Sequence, residues 1–207
     1  VPGGALIADV TCGLGAFWRA VPPGRYRLIG SDLGRLDPRT GCRQPPAAAV
    51  RAGGRGPAAG CGLALLADCR RLPYRDASVD CWVFDPPYAH NSTASISTHL
   101  ERQYHLNSVC GRAQVLALYR DGLAEGWRVL RPGGLALVKC QDEIMSNKQQ
   151  RTTIEVWQMA LALGFRDEDQ FVLHAAARPR MRHPYQKHAR KNHSVLWVFR
   201  KPGRAAP

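Results

Sequence analysis

No stretch of this 207-residue chain approaches the roughly 18 to 20 consecutive apolar residues that a membrane span requires. The opening residues, Val1-Pro2-Gly3-Gly4, carry no positive flank of the kind that begins a secretory leader. A soluble, cytoplasmic protein without a membrane partner is expected. The cysteines Cys12, Cys42, Cys61, Cys69, Cys81, Cys110 and Cys140 are odd in number, and no two of them have the two-residue separation of a zinc knuckle. Free thiols in a reducing compartment are the simpler reading. His183, His188 and His193 recur every five residues, a spacing that does not share one helical face, so no metal site is expected.

Acidic residues are also scarce: 16 Asp and Glu stand against 29 Lys and Arg, a formal charge of +13. Such an excess favours a polyanionic partner, because Lys and Arg displace counterions from phosphates. Nucleic acid is the first candidate, with the discount that Arg, Ala, Gly and Pro are all abundant, as GC-rich coding alone would make them. At 45% hydrophobic content a chain of this length can bury one ordinary core, and residues 1–207 are expected to form a single domain.

Four short apolar runs each end on an aspartate. Ala5-Leu6-Ile7-Ala8 ends at Asp9, Tyr26-Arg27-Leu28-Ile29-Gly30-Ser31 at Asp32, Leu63-Ala64-Leu65-Leu66-Ala67 at Asp68, and Val79 to Phe84 at Asp85. In a parallel α/β sheet ligands sit beyond the carboxyl ends of the strands, so four acidic tips would line one rim. The first run passes into Val10-Thr11-Cys12-Gly13-Leu14-Gly15 and a helix start at Ala16-Phe17-Trp18. Strand, glycine turn and helix together let a ligand approach the backbone and face free N–H groups. A Gly-x-Gly by itself is more often an ordinary turn. Asp32 falls about 20 residues after that turn, where nucleotide-binding folds place an acceptor for ribose hydroxyls.

Residues 38–62 are Gly, Pro, Ala and Arg with scarcely an aliphatic, and an excursion at least partly disordered is expected there. Residues 89–111 are polar and read as a loop. Val115, Leu116, Tyr119, Leu123, Trp127 and Leu130 recur at helical spacing, and Arg131-Pro132-Gly133-Gly134 is expected to stop that helix before a fifth strand, Leu135 to Val138, ending at Lys139. Thr153 to Leu163 predicts a helix with Ile154, Trp157 and Leu161 inward. Phe171-Val172-Leu173 and Val195 to Phe199 predict the last strands, separated by a basic stretch from Arg178 to Lys191.

Asp85-Pro86-Pro87-Tyr88 is the segment around which the rest is arranged. A strand that stops on a carboxylate, followed by two prolines that forbid further ladder pairing, makes a rigid polar tip on a buried support. Such a tip is suited to bind or react with something flat, such as a nucleobase. A base within a duplex must be flipped out to reach such a tip, and the Tyr88 ring would stack on it, a contact worth roughly 1–3 kcal/mol.

Asp9 to Gly15, an acid after the second strand, Asp-Pro-Pro-Tyr after the fourth and Arg-Pro-Gly-Gly before the fifth together resemble the S-adenosylmethionine-dependent amino-methyltransferases, most closely the DNA N6-adenine and N4-cytosine methylases of the kind that serve restriction-modification. The resemblance implies a Rossmann-like seven-stranded sheet, six strands parallel and one antiparallel, with helices on both faces. It implies that Asp9, Thr11, Cys12, Gly13 and Gly15 surround the methionine part of S-adenosylmethionine, that Asp32 and Leu33 hold the ribose, and that Asp68 and Cys69 hold the adenine. Asp85, Pro86, Pro87 and Tyr88 would be the catalytic group. The upstream segment that covers the cofactor in relatives is expected to be missing, and no insertion has the size of a separate target-recognition domain. Specificity would then come from residues 89–111, from the basic stretch, or from a partner such as a specificity subunit.

His90, Asn91, Lys139, Arg180, Arg182, Lys187, Arg190 and Lys191 are the candidate nucleic-acid contacts. For each, a solvated loop or a surface cap is the plain alternative. Adenine N6 in DNA is the favoured target, because the segment opens with Asp where the cytosine enzymes more often have Ser. The alternatives are a DNA cytosine-N4 methylase, an RNA methyltransferase acting on adenine N6 or guanine N2, a small-molecule methyltransferase, and a binder that keeps the fold without catalysis.

Overall fold

The computed structural model describes residues 1–12, 16–18, 20–32, 63–86, 112–145, 147–174, 185, 187–189 and 191–203. Of the residues singled out above, Gly13, Leu14, Gly15, Leu33, Pro87, Tyr88, His90, Asn91, Arg178, Arg180, Arg182, His183 and Arg190 lie outside the described residues, as do the stretches 38–62 and 89–111.

The four runs that end on aspartate are strands: β1 (Leu6–Asp9), β2 (Arg27–Asp32), β3 (Leu63–Leu66) and β4 (Val79–Phe84). Helix α1 (Arg112–Val129) and strand β5 (Leu130–Cys140) follow, then a small hairpin of β6 (Glu143–Met145) and β7 (Lys148–Gln150). Helix α2 (Thr152–Ala162), β8 (Arg166–His174) and β9 (His193–Arg200) complete the order. The main sheet runs β3-β2-β1-β4-β5-β9-β8. Strands β1 to β5 pair in parallel, while β9 pairs antiparallel with both β5 and β8. Six strands therefore point one way and β9 the other, as the resemblance implied.

The pleat of β4 divides the core. Trp82 and Phe84 are fully buried among Val115, Tyr119 and Leu123 of α1, whereas Cys81 and Val83 join Ile7, Leu28 and Trp18 in a second cluster. Both α-helices of the described residues contribute to the first cluster only. Gly122 and Gly126 bring α1 close, since a Cβ at Gly126 would sit 2.7 Å from the Trp82 indole. Arg128, near the carboxyl end of α1, donates to the carbonyls of Leu72 and Tyr74 and pairs with Glu125 and Asp76, tying down the crossover that leads into β4.

Three expectations change. The glycine turn passes not into an α-helix but into a single 3-10 turn, Ala16–Trp18. Pro22 and Pro23 lie just beyond, and a residue before proline is driven out of the helical region, so no long helix can follow. A three-residue turn supplies no helix dipole to a ligand. Second, Arg131-Pro132-Gly133-Gly134 lies inside β5 as a bulge: Val79 pairs with Leu130, and regular pairing resumes at Cys81 with Leu135. Gly133 adopts φ +82°, and its N–H bonds the Lys201 carbonyl at 2.8 Å. Third, α2 turns Thr152, Val156 and Ala160 inward, while Ile154 is 47% exposed. Small side chains at four-residue spacing let the helix lie close to the sheet and displace the larger residues to its flanks. Trp157 sits on that flank, its indole N–H donating to Asp167.

Candidate active site

Connections run outward from β1 to β2 and β3, then return to β4 on the other side of β1 and continue to β5. The crevice between the carboxyl ends of β1 and β4 is therefore the switch point of the sheet, where an open α/β fold receives its ligand. The register brings Asp9 opposite Val83 and Ala8 opposite Trp82, and the Val10 N–H extends the ladder to the Val83 carbonyl. The residues that follow β1 and β4 are thus neighbours across this crevice.

Thr11 joins the two sides. Its hydroxyl oxygen accepts the Asp85 N–H at 2.7 Å, so the side chain assigned to the cofactor also fixes where Asp85 begins. Pro86 behind it is buried. Asp9 is only 2% exposed, and its two carboxylate oxygens take the Trp18 indole N–H at 2.7 Å and the Thr11 N–H at 3.3 Å. Burial pushes the Asp9 carboxyl up to about 7 against those two hydrogen bonds, and the nearby charges of Asp85 and Asp32 add to the rise. Asp9 thus organises the turn after β1, with Trp18 as a partner that the sequence did not single out.

Asp85 is partly buried and ion-pairs with Lys139, Nζ to Oδ2 at 2.7 Å. Desolvation raises the Asp85 carboxyl above its ordinary range, and the Lys139 ammonium pulls against that rise. Lys139 stands at the end of β5, where Phe84 pairs with Val138, so the residues one step further on meet at the rim. The Tyr119 hydroxyl donates to the Lys139 carbonyl at 2.8 Å, and the ammonium lies 5.7 Å from the centre of the Phe17 ring.

Asp32 closes β2 half-buried and near enough to Asp9 to influence its charge, and its carbonyl accepts the Ala67 N–H. The Cys12 N–H donates to the Ser31 carbonyl, tying the turn after β1 to the end of β2. Asp68 differs from the other three tips: the Arg70 guanidinium binds both its oxygens, with a closest approach of 2.6 Å, and holds the carboxyl below its ordinary range. An incoming amine would compete with that guanidinium. Cys12, Cys69, Cys81 and Cys140 are buried thiols outside any disulfide. Burial lifts the thiols of Cys69 and Cys81 to about 12, a condition that makes them inert.

Of the basic stretch, Lys187 is exposed and Lys191 partly buried. The Lys191 carbonyl accepts from the Gln141 side chain at 3.4 Å, which sets this end of the stretch beside the carboxyl end of β5. Tyr185 is 76% exposed. Among the described residues no three metal-ligating side chains cluster, and no helix is long and apolar enough to cross a membrane.

No family model and no curated protein sequence matches this chain. Solved structures do match it. TrmN from Thermus thermophilus is 18% identical over 97% of this chain and 45% of its own, with a TM-score of 0.52. The 1,6-didemethyltoxoflavin-N1-methyltransferase of Burkholderia thailandensis, solved with its substrate and S-adenosylhomocysteine, is 17% identical over 97% of this chain and 72% of its own, at 0.52. A candidate DNA modification methylase, also of Thermus thermophilus, is 22% identical over 68% of this chain and 54% of its own, at 0.46. The chain thus spans about half the length of that protein. The likenesses to the first two establish the fold, a Rossmann-like sheet of the methyltransferase type.

Proposed function

We propose that the protein is an S-adenosylmethionine-dependent methyltransferase that modifies the exocyclic amine of a nucleobase, with adenine N6 in DNA as the target. The observation that carries this reading is the position of Asp85-Pro86 at the switch-point crevice, directly across from the turn after β1. A fold of this type also serves small heterocyclic substrates, as in the Burkholderia enzyme, so fold by itself does not choose the substrate. The Asp-Pro-Pro-Tyr segment and the charge of +13 favour a nucleic acid.

The residues present suit such a cofactor. The turn after β1 is held by Asp9, Trp18 and the Ser31 carbonyl, which commits the buried Asp9 carboxylate to N–H groups of the chain itself. Asp32 offers a carboxylate at the end of β2 for two ribose hydroxyls. Asp68 could serve an adenine amine only by sharing its oxygens with Arg70. When bound, the cofactor supplies a methyl group on a positively charged sulfur.

On the substrate side, Asp85 and the Pro86 carbonyl accept the two N–H bonds of the amine and draw its lone pair out of the ring. Their positions are set before the substrate arrives, by Thr11 on the Asp85 N–H and by the fixed φ of proline. Transfer would break the S–CH3 bond with its electron pair left on sulfur, and Asp85 or water would then take the proton that the methylated nitrogen must lose. Tyr88 stacks on the flipped base, and the ends of the basic stretch, with Arg180, Arg182, Lys187, Arg190 and Lys191, grip its backbone.

The test is methyl transfer to duplex DNA against total RNA, with wild-type and Asp85→Ala protein. We expect transfer to DNA, no transfer by the variant, and unchanged cofactor affinity. Modification mapping of DNA from cells carrying each form locates the base. A variant as active as wild type would sink the reading, and transfer to RNA alone would move the substrate to adenine N6 or guanine N2 of RNA.

A further inference from the structure

Among the candidate nucleic-acid contacts, Lys139 is set apart by where its charge is committed. A lysine that grips phosphate extends from the surface into solvent. Lys139 instead has a side chain only 19% exposed and turns its ammonium onto Oδ2 of Asp85, whose side chain is 23% exposed. Three elements fix that ammonium. The Tyr119 hydroxyl of α1 holds the Lys139 carbonyl, the Phe17 ring lies under the charge, and β5 pairs with β4 up to Val138 opposite Phe84. Thr11 meanwhile holds the Asp85 main chain from the side of β1. Asp85 is thus held by its main chain on one side and by one carboxylate oxygen on the other.

We propose that Lys139 is a positioning residue for methyl transfer, the fixed counter-ion that occupies Oδ2 of Asp85 and so reserves Oδ1 for the amine of the substrate. This rests on the reading of Asp85 given above and deepens it. Two consequences follow from the geometry. With one oxygen taken, the carboxylate cannot rotate freely, and the acceptor that meets the amine keeps a single direction. The ammonium also offsets the negative charge of a carboxylate that stands near the buried Asp9 of β1, with Cys140 as the titratable neighbour on β5.

The experiment compares Lys139→Met, Lys139→Gln and Lys139→Arg with wild type by two readouts. The first needs no turnover: carbon NMR of labelled aspartate carboxyls, with the Asp85 signal assigned by its loss in Asp85→Asn. The Asp85 titration midpoint should move to higher pH in the Met and Gln variants, because burial is then unopposed, and stay near the wild-type value in the Arg variant. The second readout is steady-state transfer with cofactor and DNA. Here kcat should fall on the order of 10²-fold near neutral pH in the Met and Gln variants and recover as pH is raised. KM for DNA and the salt dependence of binding should hold.

An unmoved Asp85 midpoint would overturn the proposal. So would a rise in KM with a shallower salt slope and an intact kcat, which would make Lys139 a phosphate contact. A shifted midpoint in a protein that methylates neither DNA nor RNA would support the pairing and sink the reading of the substrate.

Discussion

Asp9 carries a linkage between charge and stability that follows from its burial. Its carboxyl is raised from 3.8 to about 7 in the folded chain, so the folded state binds a proton that the unfolded state releases. The contribution of Asp9 is therefore most favourable below the unfolded value and declines as pH rises from about 4 to about 7, by at most on the order of 4 kcal/mol. Asp9→Asn cannot ionise, keeps an acceptor for Trp18, and should remove that decline. Urea midpoints of the two proteins at pH 5 and pH 8 check this, and equal pH dependence would contradict it. If Asp32 holds the ribose hydroxyls as proposed, Asp32→Ala should weaken cofactor binding by about tenfold, the loss expected of a hydrogen bond to a charged group, as measured by calorimetric titration. At this scale the sequence was legible where a residue type announces its chemistry, as with the four aspartates at strand ends. It was opaque where meaning lies in the partner. Nothing along the chain says that Asp68 is taken by Arg70, or that Trp18 completes Asp9. The Lys139 to Asp85 pair was within reach, since both residues end neighbouring parallel strands.

Helix α1 rests on β4 through two absent side chains. Gly122 faces the Phe84 ring and Gly126 the Trp82 indole, both at distances too short for a methyl group. Ala at either position would gain about 1 kcal/mol of helix propensity and lose about 1–3 kcal/mol to overpacking, because stacked rings of Trp82 and Phe84, 4.8 Å apart, cannot both withdraw. Gly126→Ala should therefore lower stability by up to about 2 kcal/mol in chemical denaturation, and a stabilised variant would show that the helix can slide. The spacing of Val115, Tyr119 and Leu123 made this helix readable from sequence, since three residues and their neighbours fall on one face. The face of α2 was misread because size was taken as the sign of burial. Thr152, Val156 and Ala160 lie inward on account of being small, and Asp142 holds the start of the helix through the Thr153 N–H and hydroxyl. The 3-10 turn was missed because glycines before an aromatic pair suggest a helix until Pro22 and Pro23 are weighed.

For the molecule as a whole, the positive charge makes a prediction about salt. If the basic stretch near the end of β5 holds nucleic-acid backbone, neutralising Lys187, Arg190 and Lys191 together should reduce the slope of log affinity against log salt by roughly 0.9 for each phosphate that is no longer neutralised. Fluorescence anisotropy with a short duplex reads this slope, and an unchanged value would remove the stretch from the binding surface. The alternation of apolar runs and crossovers made a parallel α/β sheet readable at this scale, while the seven strands and the reversed one came from the resemblance. That reversed strand bears on how the chain acquires its shape during synthesis. Strand β9 lies between β5 and β8, so β8 has no neighbour of its own until residues 193–200 have left the ribosome. Phe171, Val172 and Leu173 of β8 stay exposed even after that pairing, so this edge strand presents an apolar row to a chaperone or a neighbouring polypeptide during synthesis and afterwards.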